Sequence, residues 1–152
     1  MVDRIEVTPR DFSLAGEYAA LLAHASDAGG IVLFVGRVRP DDADNPVVAL
    51  ELEHYPAMTE QALHQLVAEA RKRWTLEAVT VWHRVGRIAV GEQIVLVAVA
   101  AGHRDEAYQA SRFLIDKLKT TAPFWKKEHR ADGTCGWVEA KASDGRAASG
   151  WD

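Results

Sequence analysis

The sequence predicts an α+β fold with a mostly antiparallel or mixed sheet. Three observations point there. Strand-like and helix-like segments are mixed, without the regular βα alternation of a doubly wound sheet. Short glycine turns at Gly86 and Gly91 join several of the strands. The two strongest apolar runs, residues 31–35 and 94–101, are strand-sized, far below the roughly 20 residues a membrane helix needs.

The elements follow in order. Residues 4–7 alternate polar and apolar, a short first strand. Ser13 can cap a helix running to about His24, with Leu14, Tyr18, Leu21 and Leu22 on its apolar side. Ala28-Gly29-Gly30 punctuates the chain, and residues 30–38 read as a buried strand. Residues 40–46, Pro-Asp-Asp-Ala-Asp-Asn-Pro, form an acidic loop expected to be mobile. Val48, Leu50, Leu52 and His54 alternate with Ala49, Glu51 and Glu53, as in a half-buried strand. Pro56 and Thr59 open the clearest helix, in which Met58, Ala62, Leu63, Leu66, Val67, Ala70 and Trp74 keep helical spacing.

Val79, Val81, His83 and Val85 then alternate with Thr80, Trp82 and Arg84. A short extended piece covers 87–90, and 93–101 is a second buried strand. A helix over about 105–118 turns Ala107, Ala110, Leu114, Ile115 and Leu118 to its apolar side. Asp132-Gly133 is a turn, and 137–141 reads as a last strand. From Ala142 the chain is small and polar and is expected to be loose. The sequence thus predicts one domain over residues 1–144 and a C-terminal tail over 145–152, with no repeat or linker.

Bulk properties narrow the function. The chain has 152 residues, 48% of them hydrophobic, with 18 basic and 22 acidic side chains for a formal charge of −4. That balance argues against a general nucleic-acid surface. The N-terminus carries no apolar signal core. One cysteine, Cys135, cannot form an internal disulfide, which fits a reducing cytoplasm, and it supports no zinc site. His54, His64, His83, His103 and His129 show no metal-ligand spacing, and no phosphate-binding glycine loop or nucleophile elbow is present.

Three constellations can hold an anion. Arg37 and Arg39, around Val38, end a strand on one face, and guanidinium groups grip phosphate with forked hydrogen bonds. They can equally be solvated partners of the acids at 41–44. His103 and Arg104 follow Gly102 where a buried strand becomes a helix, a place where unpaired N–H groups favour an anion. The same junction can be no more than a helix cap at Asp105. The most cationic segment is 117–130, where Lys117, Lys119, Lys126, Lys127 and Arg130 face a single acid, Glu128. A lysine ending a helix needs no function. Phe124-Trp125 beside Lys126-Lys127 asks for more, since an aromatic pair can pack a planar heterocycle while cations hold its phosphate.

Four blocks in the chain together resemble a known signature: Leu-Glu-His-Tyr-Pro-Ala-Met-Thr-Glu at 52–60, Val-Trp-His-Arg-Val-Gly at 81–86, Ala-Gly-His-Arg at 101–104 and Lys-Thr-Thr-Ala-Pro-Phe-Trp-Lys-Lys-Glu at 119–128. They are similar, in register over residues 7–144, to the large, catalytic subunit of molybdopterin synthase. The resemblance implies an α/β hammerhead fold, an α+β body with a small β-rich subdomain. It also implies a cytoplasmic homodimer within a heterotetramer, each end binding a small ubiquitin-like sulfur-carrier subunit that ends in Gly-Gly as a thiocarboxylate. The implied activity is a sulfurtransferase that moves two sulfurs to cyclic pyranopterin monophosphate and makes the molybdopterin dithiolene, with no cofactor or metal.

Residue by residue, the resemblance implies that Lys119 is the essential lysine, moving a proton and stabilising charge, and that Lys126 orients the pterin and the carrier's terminal carbonyl. It implies an anion pocket of Arg39, His103 and Arg104 lined by Arg37 and Val38, with Lys127 and Glu128 continuing the substrate strip. His103 and Arg104 can belong to either subunit. Lys141 stands where some members have arginine, which keeps the charge but loses the fork. The turn at 132–136 supports no role for Cys135. Two other classes remain on the residues alone: a module that senses a phosphorylated small molecule, and a scaffold that grips a partner's tail.

Overall fold

Two four-stranded sheets organise the chain, and the groove between them is where the cationic residues collect. The computed structural model describes residues 3–138 and 142–152, with the side chains of Ala142 and Ser143 left out. The first sheet is made of β1 (Asp3–Thr8), β2 (Gly30–Arg37), β4 (Leu76–Arg84) and β6 (Gln93–Ala101), in the order β1-β4-β6-β2. β1 runs parallel to β4, while β4–β6 and β6–β2 are antiparallel, so the sheet is mixed. The second sheet takes β3 (Val47–His54), β5 (Gly86–Ala89), β7 (Phe124–Arg130) and β8 (Cys135–Val138), in the order β5-β3-β7-β8, all antiparallel.

The first sheet is covered on both faces, which explains why β6 is apolar at every position from Ile94 onward. Val95, Val97 and Val99 pack on α2 (Pro56–Arg73) and α3 (Arg104–Thr121) through Leu63, Val67, Phe113 and Leu114. Leu96, Ala98 and Ala100 pack with Trp82, Phe12 and Leu21, the last from α1 (Leu14–Leu22). Each fully buried Leu, Val or Phe side chain contributes roughly 1.5–3 kcal/mol. The second sheet has its own small core of Val38, Leu52 and Ile88, with Leu50 and Phe124 against it. This is the β-rich subdomain expected from the resemblance.

Gly29 and Gly30 mark a close approach. A Cβ on Gly30 would sit 2.9 Å from the Arg104 backbone, and one on Gly29 would sit 2.4 Å from the Gly102 carbonyl oxygen. The start of β2 can therefore abut the β6–α3 turn only without side chains.

Several local expectations are corrected. Ser13 does cap α1, its hydroxyl accepting from Gly16 N–H at 3.2 Å. Yet Leu14, Tyr18 and Leu22 are exposed and only Leu21 goes inside, because Glu17 takes a buried position through its ion pair with Arg4. Met58 is 57% exposed; α2 turns Thr59, Leu63, Leu66, Val67 and Ala70 inward. In β3 a bulge at Val48 shifts the alternation, so Val47 and Ala49 are buried and Val48 is not. The acidic loop is tied down: Asp41 accepts from Val47 N–H at 3.0 Å and pairs with Arg130, and Asn45 accepts from Asp132 N–H.

β7 is absent from the sequence reading. Its Lys-Lys-Glu-His-Arg run lacks β-forming residues, and it becomes a strand because β3 and β8 pair with it on both sides. β8 starts at Cys135 and is described to Val138, so the rest of the expected strand, including Lys141, lies outside the described residues.

The tail is not loose. Residues Ala142–Ser149 form α4, and Trp151 packs edge-on against Trp74 and Phe113 while its indole N–H donates to Asp116 at 2.8 Å. A large aromatic with one polar atom satisfied both ways outweighs the surrounding small residues.

Candidate functional site

Pro123 places the two lysines. It cannot continue a helix, and it forces the preceding residue out of helical geometry; Ala122 is extended, with φ −72° and ψ 126°. α3 therefore stops just beyond Lys119, and the chain reverses into β7. Lys119 leaves from the last helical turn. Lys126 leaves from β7, opposite Leu52 of β3 and Val138 of β8. Both line one groove of about 610 Å³, a size that suits a small organic ligand.

Strand alternation sorts the rest of the segment. Phe124, Lys126 and Glu128 line the groove, while Trp125 and Lys127 fall on the other face of β7. The aromatic pair is thus split. Phe124 stacks on His83, with ring centroids 4.1 Å apart and 22° between planes. Trp125 meets Tyr55 edge-on at 5.1 Å and is 46% exposed. Lys127 lies over the Trp137 ring, 4.6 Å from its centre.

The opposite wall comes from the end of β2 and the segment after it, which bring Arg37 and Arg39 to the groove. Arg37 is fixed by donating to the Gly91 carbonyl at 3.0 Å. Four cationic side chains, Arg37, Arg39, Lys119 and Lys126, thus face two carboxylates, Asp41 and Glu128. Both acids are already engaged, each with Arg130, at 3.4 and 3.1 Å. Lys119 also has a long contact of 3.8 Å to Asp144 of α4. The groove floor is apolar, with Phe34, Ile115 and Leu118. An anion seated there is stabilised by positive charge in partly dehydrated surroundings, where Coulomb attraction exceeds its value in water.

His83 is the titratable group on that floor. It is 7% exposed, and its Nδ1 lies 2.8 Å from the Arg84 carbonyl oxygen. Burial pushes its pKa down to about 4, and the nearby Lys126 and His54 charges push the same way against the carbonyl contact. Arg84 itself is structural, donating to the carbonyls of Pro9 and Gln93. Among the described residues, no cluster of three or more His, Cys, Asp or Glu side chains could hold a metal.

The model of the MoaE protein family matches residues 7–121. The chain belongs to the MoaE family. The molybdopterin synthase catalytic subunit of Mesorhizobium japonicum is 49% identical over 148 residues, 97% of this chain and 92% of its own. That of Vibrio cholerae is 47% identical over 152 residues, the whole of both chains. The solved structure of the molybdopterin biosynthesis MoaE protein from Burkholderia ambifaria matches with a TM-score of 0.83 at 46% identity, over 99% of this chain and 98% of that one. The hammerhead fold implied by the sequence is therefore the fold found. The family is that of molybdopterin synthase catalytic subunits, enzymes of molybdenum cofactor biosynthesis.

Against this MoaE-family frame, the sequence-predicted residues divide. Lys119, Lys126, Arg37, Arg39 and Glu128 come together in the groove. Val38 does not line it: its side chain is buried against Leu52 and Ile88, and its backbone bonds with Glu92 and Gly91. Lys127 is turned away, since neighbours along a strand cannot share a face. His103 and Arg104 are exposed at the start of α3. Sixteen residues at 1.5 Å each put them roughly 24 Å from Lys119 along the helix.

The sequence reading passed over His83, Phe34 and Ile115. A signal for His83 was available: it continues the inward set Val79, Val81, and a polar residue at a core position asks for a partner.

Proposed function

We propose that this chain transfers two sulfurs to cyclic pyranopterin monophosphate, one from the C-terminal thiocarboxylate of each of two small ubiquitin-like carriers ending in Gly-Gly, forming the molybdopterin dithiolene. Each carrier leaves as its carboxylate when water cleaves the acyl–sulfur bond. The observation that carries this reading is the convergence of Lys119, Lys126, Arg37 and Arg39 on one groove with an apolar floor. Carrier tail and pterin phosphate are both anionic, and they repel each other unless cations lie between them. A thiocarboxylate is already ionised at neutral pH and needs no activating base. The protein's work is to hold the sulfur near the pterin side chain and to manage protons and developing charge. Lys119 supplies the proton and stabilises charge as sulfur attacks. Lys126 orients the pterin and the tail's carbonyl, while Arg39 and Arg37 take the cyclic phosphate and Glu128 borders the substrate.

His103 and Arg104 serve the groove of a second copy in a homodimer, because their own groove is about a helix length away. With two carriers the assembly is a heterotetramer. A reactive thiocarboxylate and a single exposed cysteine fit a reducing cytoplasm.

Reconstitution tests this. The chain is mixed with thiocarboxylated carrier and cyclic pterin, and dithiolene product is measured. Product formation is expected; stable binding of the carrier with no sulfur transferred would instead make the chain a scaffold.

A further inference from the structure

The hydrogen-bond inventory of His83 leaves one ring nitrogen over. A carbonyl oxygen can only accept, so the 2.8 Å contact to Arg84 places the proton on Nδ1. The ring is buried and stands near the positive charge of Lys126, so it stays neutral and Nε2 keeps its lone pair. Nε2 has no hydrogen-bond partner among the described residues. It is not sealed either: Thr59 Oγ1 is the one described side-chain polar atom, in a residue not itself exposed, that is both closed off from solvent and unpartnered. The open space His83 borders is the groove.

We propose that His83 Nε2 is a fixed hydrogen-bond acceptor on the groove floor, taking an N–H donor of the bound ligand, either a ring N–H of the pterin or an amide N–H of the carrier's Gly-Gly tail. This deepens the sulfurtransferase reading and rests on it. The groove otherwise offers mainly donors, Arg37, Arg39, Lys119 and Lys126, which read oxygens and negative charge. Its carboxylates Asp41 and Glu128 each pair with Arg130 and are charged acceptors suited to cations. Among the described lining residues, His83 is the one neutral side-chain acceptor for a neutral N–H donor. The ring is held for that task by the Arg84 carbonyl on one edge and by Phe124 across its face. A buried acceptor that discriminates by hydrogen bonding rejects ligands lacking the donor, because the unmade bond costs the full desolvation penalty.

Two measurements on the full chain test the proposal. In the reconstituted reaction, His83→Phe keeps a ring against Phe124 but has no acceptor, while His83→Gln puts an amide oxygen near the Nε2 position. His83→Phe is expected to raise the KM for cyclic pterin, or the Kd for the carrier, about tenfold with kcat within about twofold. His83→Gln is expected to restore most of that loss. Which constant moves identifies the source of the donor. Equal defects in both variants would mean packing alone, and wild-type constants in His83→Phe would overturn the proposal.

Nitrogen-15 NMR of the wild-type histidines needs no variant to fold. Nε2 of His83 should resonate as an unprotonated nitrogen in the free chain. It should move upfield when cyclic pterin alone, or unsulfurated carrier alone, is added. No movement with either contradicts the proposal. Wild-type turnover with an unaffected His83→Phe would sink this inference and leave the sulfurtransferase reading standing, whereas no wild-type turnover would sink that reading itself.

Discussion

Phe124 lies flat on His83, with ring centroids 4.1 Å apart, and tilts against His54 at 6.2 Å. This contact joins the ends of β3 and β4 to the first residue of β7, two residues before Lys126. Three blocks far apart in sequence, around His54, His83 and Phe124, therefore meet in one aromatic cluster, of which His83 and Phe124 border the groove.

Phe124 is then a prop for Lys126. Phe124→Ala should remove the stack and part of the second sheet's core, costing about 1–3 kcal/mol, less than a fully buried phenylalanine because it is only half-buried. Urea denaturation measures that loss. Turnover should fall more than Phe124→Leu allows, since leucine refills much of the space.

Stability should depend on pH through His83. In the unfolded chain its imidazole titrates near 6.5, and in the folded chain near 4. Between those values the unfolded state holds more protons, so stability is fully present above about pH 6.5 and drains away as the pH falls toward 4. The whole effect is on the order of 3 kcal/mol at most. Urea unfolding at pH 7.5 and pH 5 should show the decline in the wild type, and His83→Gln should lack this component. The carboxylates of Glu51, Asp132 and Asp152 are held below their usual range by hydrogen bonds to His129, Thr134 and Lys117, and their contribution is lost only at more acid pH.

Trp151 anchors the C-terminal helix to α3. Trp151→Ala should destabilise the fold by about 2–3 kcal/mol, through lost aromatic contacts with Trp74 and Phe113 and the lost indole hydrogen bond to Asp116, which keeps its ion pair with Arg112. The midpoint of urea unfolding checks this; an unchanged midpoint would restore the loose tail expected from sequence.

How far the sequence went is clear from these residues. Periodicity found the first sheet and the long helices, because Val95 to Ala101 and Leu63 to Ala70 are set by burial, which composition records directly. It missed β7, whose strand character comes from its neighbours β3 and β8, and it missed α4, where one tryptophan decides against ten small or polar residues. In the site, Lys119 and Lys126 were legible as a cationic segment and from a resemblance. Their convergence with Arg37 and Arg39 depends on the turn at Pro123 and on pairing between distant strands. The separation of Lys127 from Glu128 followed from strand alternation once β7 was known.

Subunit sharing has its own test. Arg104→Ala and Lys119→Ala should each be inactive as homodimers. If Arg104 serves the partner's groove, a randomly mixed and reassembled sample should regain about a quarter of wild-type activity, since half the dimers then hold one intact site of two. No recovery from two inactive variants would place Arg104 and Lys119 in the same subunit's site, and an active Arg104→Ala homodimer would place Arg104 outside the chemistry.

The central claim is that Lys119 acts in sulfur transfer. Single-turnover formation of dithiolene from thiocarboxylated carrier and cyclic pterin measures it most directly, comparing Lys119→Ala with Lys117→Ala. Lys117 pairs with Asp152 and does not line the groove, so its loss controls for the charge of α3. Lys119→Ala should slow the reaction by at least about 100-fold, the scale of losing a positioned proton donor, with carrier binding intact and Lys117→Ala near wild type. Wild-type rates in Lys119→Ala would contradict the account.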